Sequence, residues 1–205
     1  AGFAGAVHAR VLAEAGVRVE VIDRRPHVAG NAYDERDARG LRVHRYGPHL
    51  FHTNEIAVVQ WLLRFGEFVP YEHRVSARIV DRYAPLPLHR ATFEAFFGRR
   101  FDSESALQAQ LDQVAIAHAE VRNAAEHLES RIGRAMTDLF FRPYTRKMWG
   151  LDLEDIDASV VKRIPIRLDD EDRYFPGDRF QMLPRHGYAR VFENILDHAN
   201  IAVRL

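Results

Sequence analysis

Two glycines three residues apart open the chain, and together with the next twenty residues they narrow the fold more than any other feature. Gly2 and Gly5 stand at the start of a segment, residues 3–15, in which Val7, Val11, Leu12 and Ala15 fall at helical spacing. Gly16 then supplies a natural helix stop. Val17 to Ile22 alternates apolar and polar and is rich in β-branched side chains, which predicts a strand ending at Asp23. A glycine-rich turn into a helix, followed by an acid-ended strand, is the pattern of a dinucleotide-binding βαβ unit. The glycines let backbone approach a pyrophosphate, the helix N-terminus faces it, and the acid accepts from ribose hydroxyls about 20 residues on. Gly2 and Gly5 have the spacing of the second and third glycines of that fingerprint. The first, and the strand before it, fall outside the chain. A carboxylate at Asp23 repels a 2′-phosphate, so FAD or NAD is favoured over NADP. The alternative is a glycine-rich start to an unrelated α/β helix.

The loop after Asp23 is polar to Gly40. Arg24 and Arg25 could neutralise a phosphate, and Gly30-Asn31 gives flexible backbone able to approach a ligand; the plainer reading is a solvated basic loop. Leu41 to Tyr46 reads as a short strand. Ile56 to Phe65 reads as a helix with Val59, Leu62 and Leu63 inward. Residues 73–88 suggest a hairpin broken at Asp81-Arg82, with Pro85 and Pro87 confining its second strand to an edge. Residues 91–142 are helical in character. Their clearest part begins at Asn123, with Glu126 three positions on as a capping box. Leu128, Ile132, Ala135, Met136, Leu139 and Phe140 then form one stripe, and Pro143 interrupts it. Residues 159–183 read as extended, 188–198 as a helix, and Asn200 to Leu205 as a turn and strand. With a strand last and a first glycine missing, the chain reads as cut at both ends.

Composition excludes several classes. The 205 residues carry 29 Lys+Arg against 29 Asp+Glu, so no net charge draws the chain to nucleic acid or an anionic membrane. There is no run of 18 apolar residues for a membrane span. There is no cysteine, which removes disulfides and thiolate chemistry and fits a reducing, cytoplasmic compartment. No signal peptide is visible. Eleven histidines make a lone one weak evidence, and neither His49/His52 nor His44/His49 has the acidic companions of a metal site.

Six runs, in order along nearly the whole chain, carry a resemblance. They are Val21-Ile22-Asp23-Arg24-Arg25-Pro26-His27, Gly30-Asn31-Ala32-Tyr33-Asp34, Tyr46-Gly47-Pro48-His49-Leu50-Phe51-His52-Thr53, Tyr144-Thr145-Arg146-Lys147-Met148-Trp149-Gly150, Arg163-Ile164-Pro165-Ile166-Arg167 and Asp172-Arg173-Tyr174-Phe175. Together they resemble bacterial UDP-galactopyranose mutase, in its N-terminal portion. The resemblance implies an α/β fold: an FAD-binding Rossmann-like sheet of the GR2 type, a mainly helical insertion, and part of an antiparallel substrate sheet. It divides the chain into 1–72 for the cofactor, 73–90 for a substrate-sheet hairpin, 91–150 for the helical insertion with the start of a mobile loop, and 151–205 for the rest of that loop and the return to the cofactor domain.

The activity implied is the interconversion of UDP-galactopyranose and UDP-galactofuranose, which supplies cell-wall galactofuranose. In that family FAD must be reduced. Its N5 attacks the anomeric carbon and displaces UDP, the sugar ring opens and recloses, and UDP returns with no net redox change. The partners implied are the two UDP-sugars, with no nucleic acid, no membrane insertion, and self-association left open. Matching residue by residue, Arg163 is the loop arginine over the diphosphate and His52 stands beside the flavin ring to tune or position it, the two residues implied as catalytic. Gly2, Phe3, Gly5, Asp23, Arg24, Gly30, Asn31, His49, Leu50 and Phe51 match cofactor-binding positions. His73, Thr145, Trp149, Tyr174 and Phe175 join Arg163 at the substrate, the last two holding the uracil. Read without the resemblance, Trp149 is a core aromatic and Tyr174-Phe175 a half-buried strand pair, one ring on each face. Ala29 departs from a frequent glycine and Met148 from a frequent glutamine. Two other readings remain: a different FAD oxidoreductase of the amine-oxidase-like fold, and a non-catalytic α/β interaction domain.

Overall fold

The computed structural model describes residues 1–79, 82–162 and 164–205. In chain order the elements are α1 (Phe3–Glu14), β1 (Val19–Ile22), β2 (Asp34–Arg36), β3 (Arg42–His44), β4 (Phe51–Thr53), α2 (Ile56–Leu63) and β5 (Phe68–Pro70). Then come β6 (Val75–Ile79), β7 (Arg82–Leu86), α3 (Arg90–Phe97), α4 (Glu104–Val114), α5 (Ala124–Met136), α6 (Arg142–Trp149) and α7 (Ala158–Lys162), followed by β8 (Phe180–Pro184), α8 (Tyr188–Leu196) and β9 (Ile201–Arg204). They fall into two compact units, one of residues 1–73 with 177–205, the other of 74–176.

In the first unit the predicted final strand β9 pairs in parallel with β1, Val19 opposite Ile201 and Val21 opposite Val203. Parallel neighbours need a crossover, and here it is nearly the whole chain. A second sheet has the order β4-β8-β5, all antiparallel, with β8 central. β2 and β3 form a separate antiparallel ladder, and β2 falls inside the stretch expected to be loop. Helix α1 spans nearly the predicted residues, and Gly16 follows it at φ +88 as the left-handed stop. Its inward face is different from the expected one. Ala6, Ala9 and Ala13 are buried, whereas Val11 and Leu12 are about half exposed at 51% and 45%. Small side chains let α1 seat directly against β1 and α8, and Phe192 and Ile195 of α8 fill the space that larger side chains on α1 would have taken. In α2, Val59 and Leu62 are buried but Leu63 points outward.

Helix α8 starts without a side-chain cap of its own, because its N-cap is Gly187 at φ +87. Asp34 on β2, 154 residues away, takes that role. Its Oδ2 accepts from the Tyr188 N–H at 2.8 Å and its Oδ1 from the Ala189 N–H at 2.9 Å. Arg42 on β3 stands 3.4 Å from the same carboxylate. The acid is buried and compensated by charge and two donors. A Cβ at Gly187 would overlap the Arg42 guanidinium and come 2.5 Å from Asp34 Oδ2, so only glycine leaves room for this cap.

The second unit contains the hairpin β6–β7 and a helical core built on Phe93, Leu107, Leu128, Ile132, Met136 and Leu153. The hairpin is as expected; Val80 and Asp81 lie outside the described residues. Asn123 caps α5 by accepting from the Glu126 N–H at 2.9 Å. The reciprocal half of the capping box falls one residue early, Glu126 accepting from the Arg122 N–H at 2.8 Å. The stripe beyond Ile132 is rephased. Gly133 takes φ +73, ψ 167 inside α5, and residues Thr137–Phe141 form a π-turn. Ala135 is therefore exposed, and Phe141, which was not in the expected stripe, is buried. Gly133 is forced by crowding, since a Cβ there would lie 2.5 Å from the Val114 carbonyl oxygen. Pro143 does not end the helical run. It occupies the first turn of α6, where its missing N–H costs nothing. Residues 158–162, expected in part to be extended, form the short α7.

Candidate functional site

The glycine turn of the first unit has the construction a dinucleotide requires. Gly2 is the N-cap of α1 and makes no side-chain cap, and Phe3, Ala4 and Gly5 in the first turn are exposed. Asp23, at the end of β1, reaches back to this turn. Its Oδ2 lies 2.6 Å from the Ala1 backbone nitrogen and its Oδ1 accepts from the Arg25 N–H at 3.1 Å. Gly30 crosses directly over Gly2: a Cβ on Gly30 would lie 2.9 Å from Gly2 Cα and 3.4 Å from Gly2 N, and Gly30 has φ +54. Two glycine backbones in contact, an uncapped helix N-terminus and an acid within hydrogen-bond reach of the same turn fit a bound pyrophosphate and ribose. Ala29, where the resemblance expects glycine, sits at φ +73, a left-handed alanine.

Beside this turn Arg25 and Asn31 join three residues, His27, Tyr33 and Tyr46, to which the sequence alone assigned no role. Arg25 donates to Asn31 Oδ1 at 2.8 Å, and its guanidinium lies 4.5 Å from the Tyr46 ring centre. His27 is buried and stacks on Tyr33 with ring centres 3.9 Å apart. Its Nδ1–H donates to the Val28 carbonyl at 2.8 Å, which leaves Nε2 to accept from the Tyr46 hydroxyl at 2.8 Å. The loop Arg24–Asn31 is thus locked in place through Arg25, His27 and Asn31; Arg24 itself is exposed.

The segment His49-Leu50-Phe51 enters β4 half-buried. Its first residue is anchored by His44, whose Nδ1 accepts the His49 N–H at 3.0 Å. Burial pushes His44 below the usual histidine range, in keeping with that acceptor role. His44 meets Tyr188 edge-on at 5.9 Å between ring centres, and burial pushes the Tyr188 phenol up. His52 follows on β4, opposite Gln181 on β8. Its Nδ1 lies 2.5 Å from Asp178 Oδ2. His73 is partly buried, and that burial pushes it below the ordinary histidine range.

In the second unit Thr145 is buried on α6, and Trp149 ends that helix half exposed before Gly150 at φ +68. Trp149 is therefore not a core aromatic. Tyr174 and Phe175 are not in a strand; their rings pack edge-to-face on each other, centres 4.9 Å apart. Arg163 lies outside the described residues. The four acids preceding the aromatic pair each have an arginine: Asp169 with Arg167, Asp170 with Arg90, Glu171 with Arg173 and Asp172 with Arg74. The Arg173 guanidinium and N–H hold the Glu171 carboxyl down at about 2. A carboxyl lowered by its partner keeps that contact above its folded pKa and loses it as pH falls through that value. Acid titration followed by carboxyl 13C shifts should therefore show Glu171 still ionised at pH 3; a midpoint near the ordinary glutamate value would refute the pairing. A second set of ion pairs fixes the turn after Trp149, with Arg142 bidentate on Glu154 at 2.7 and 2.9 Å and Arg146 2.5 Å from Asp152. Among the described residues no helix is long and apolar enough to cross a membrane, and no group of three or more His, Asp or Glu could hold a metal.

Comparison with known proteins accounts for this combination. The family model described as UDP-galactopyranose mutase matches residues 139–205. That of an NAD(P)-binding Rossmann-like domain matches residues 1–64. A probable UDP-galactopyranose mutase of Klebsiella pneumoniae is 38% identical over the whole chain, which covers 53% of that protein. A dTDP-fucopyranose mutase of Escherichia coli is 36% identical, again over the whole chain and 54% of that protein. The chain thus spans about half the length of the curated relatives it matches. A crystal structure of reduced UDP-galactopyranose mutase aligns with all of this chain and 47% of its own at a TM-score of 0.69 and 17% identity, which bears out the expected Rossmann-like fold with its helical insertion. Along its whole length, then, the chain is similar to the N-terminal half of UDP-galactopyranose mutases.

Proposed function

We propose that the protein carrying this chain interconverts the pyranose and furanose forms of a nucleoside-diphosphate hexose, UDP-galactose, with FAD as its cofactor. The observation that carries the reading is the match along the whole chain to sugar-nucleotide mutases. The Gly2–Gly30 crossing beside Asp23 supports the dinucleotide half of it. A reduced flavin, when bound, supplies the nucleophile for the anomeric carbon. The chain's own residues bind and orient. The α1 N-terminus and Gly2 backbone would hold the pyrophosphate, with Asp23 accepting from the ribose. His49 to His52 would border the flavin ring. On the second unit, Tyr174 or Phe175 offers a ring face for the base, Thr145 and Trp149 further contacts, and Arg163 a guanidinium to offset charge on the departing diphosphate.

A second substrate is favoured by one observation: the relative acting on dTDP-fucopyranose is nearly as similar as the UDP-galactopyranose one, 36% against 38%. The test is direct. The intact protein, incubated with FAD, desalted and reduced with dithionite, is given UDP-galactopyranose and dTDP-fucopyranose in parallel. The expected result is retained flavin absorbance and a furanose product from the UDP-sugar. Furanose from the dTDP-sugar alone would move the substrate to deoxyhexose. A protein that stays colourless, or that consumes oxygen with substrate instead of changing the ring ratio, would overturn the mutase reading.

A further inference from the structure

We propose that Asp178 is the positioning residue for His52, holding its imidazole in one orientation and, in the neutral ring, with the proton on Nδ1. The turn just before β8 supplies the hold. Asn54, two residues after His52, grips that turn at three points. Its Nδ2 donates to the Gly177 carbonyl at 3.1 Å and to Asp178 Oδ1 at 3.1 Å, and its Oδ1 accepts the Arg179 N–H at 2.8 Å. The Asp178 backbone carbonyl in turn accepts from Gln181 Nε2 at 3.2 Å. The carboxylate cannot rotate away without breaking the Asn54 Nδ2–Oδ1 contact, and its second oxygen is left 2.5 Å from His52 Nδ1. A carboxylate only accepts, so a neutral ring must place its proton on Nδ1, and Nε2 is then the nitrogen without one. This is the arrangement by which a carboxylate fixes the tautomer and direction of a functional histidine. His52 and Asp178 are 38% and 25% exposed, so the pair is made at an accessible face and not in the core. Because β4 pairs with β8 in the register that sets His52 opposite Gln181, the two partners are brought together by the sheet itself, although 126 residues separate them.

The consequence for the flavin rests on the reading that His52 borders that ring; the hold of Asp178 on His52 does not. The test keeps the two apart. In Asp178→Asn, the Asn54 amide still donates, so the side-chain oxygen of residue 178 stays toward Asn54 and its NH2 group faces His52. The ring must then accept at Nδ1, and its proton moves to Nε2. In the intact protein, long-range 15N–1H correlation spectra of His52 should show the Nδ1–H form in the natural sequence, the Nε2–H form in Asp178→Asn, and the Nδ1–H form again in Asp178→Glu. With flavin bound, Asp178→Asn should lower kcat about 10- to 100-fold with little change in KM, and Asp178→Glu should recover part of it. An unchanged tautomer in Asp178→Asn would overturn the proposal outright. A switched tautomer with unchanged kcat would overturn its functional half while leaving the mutase reading standing. If no variant, nor the natural protein, retains flavin, the mutase reading fails and the tautomer spectra alone still decide whether Asp178 holds His52. Thermal unfolding of both variants, expected within a few degrees of the natural protein, guards against misfolding.

Discussion

Gly30→Val should strip the protein of its flavin. The first atom added at position 30 would stand 2.9 Å from Gly2 Cα, where there is only backbone and nothing that can swing aside. The residue also sits at φ +54, which a β-branched side chain resists strongly. Overpacking of this kind costs about 1–3 kcal/mol and the left-handed backbone about 1–2 more. Relief must come from moving the Gly2 turn away from Gly30, and that turn is the surface proposed for the pyrophosphate. A displacement that forfeits roughly 3 kcal/mol of binding lowers affinity by more than 100-fold. Flavin absorbance after desalting is the readout. Gly30→Ala should lie between the natural protein and Gly30→Val, and full flavin retention in both variants would exclude the crossing as part of the cofactor site.

Asp34→Ala should strongly destabilise the first unit. The carboxylate satisfies two N–H groups at the start of α8 and balances Arg42. Its removal deletes a helix cap, worth about 1 kcal/mol, and leaves a buried donor at Tyr188 unpaired at a further 1–3 kcal/mol. A loss of about 3 kcal/mol corresponds to roughly 6–12 °C in Tm for a chain of this size. Asp34→Asn, which retains one acceptor, should recover about half. Calorimetry checks both, and an Asp34→Ala midpoint within 2 °C of the natural protein would refute the cap.

What was legible in the sequence was local. The turn at Gly2, the stop at Gly16, the acid at the end of β1, the Asn123 cap and the final strand each announce themselves within a few residues, because caps, turns and strand periodicity are short-range physics. The resemblance added a likeness to UDP-galactopyranose mutases, found again along the whole chain. What was missed depends on partners far along the chain. Val11 and Leu12 make a plausible helix face until α8 brings Phe192 against Ala6 and Ala9, where only small residues fit. Gly133 reads as an ordinary weak point in a helix, and nothing local says that the Val114 carbonyl occupies the place of its missing Cβ. Asp34 looks like one more loop acid, yet its ligands lie 154 residues downstream. In the candidate site, His52 was named from the family motif, while Asp178 and Asn54 carried no signal, since their roles exist only once β4 and β8 are in register. His27, Tyr33 and Tyr46 lay within the motif runs, but their stack and hydrogen bonds form only in the folded loop.

The ladder of acids and arginines over residues 169–172 has a bearing on how fast the proposed sugar nucleotide would arrive. Four adjacent carboxylates left bare would set up a repulsive far field ahead of any molecule carrying two phosphates. Matched one-for-one by cations, they leave a set of short dipoles whose influence dies within about 8–10 Å at physiological ionic strength. A polyanion diffusing toward Tyr174 and Phe175, the rings proposed for the base, would thus meet no long-range barrier from this stretch.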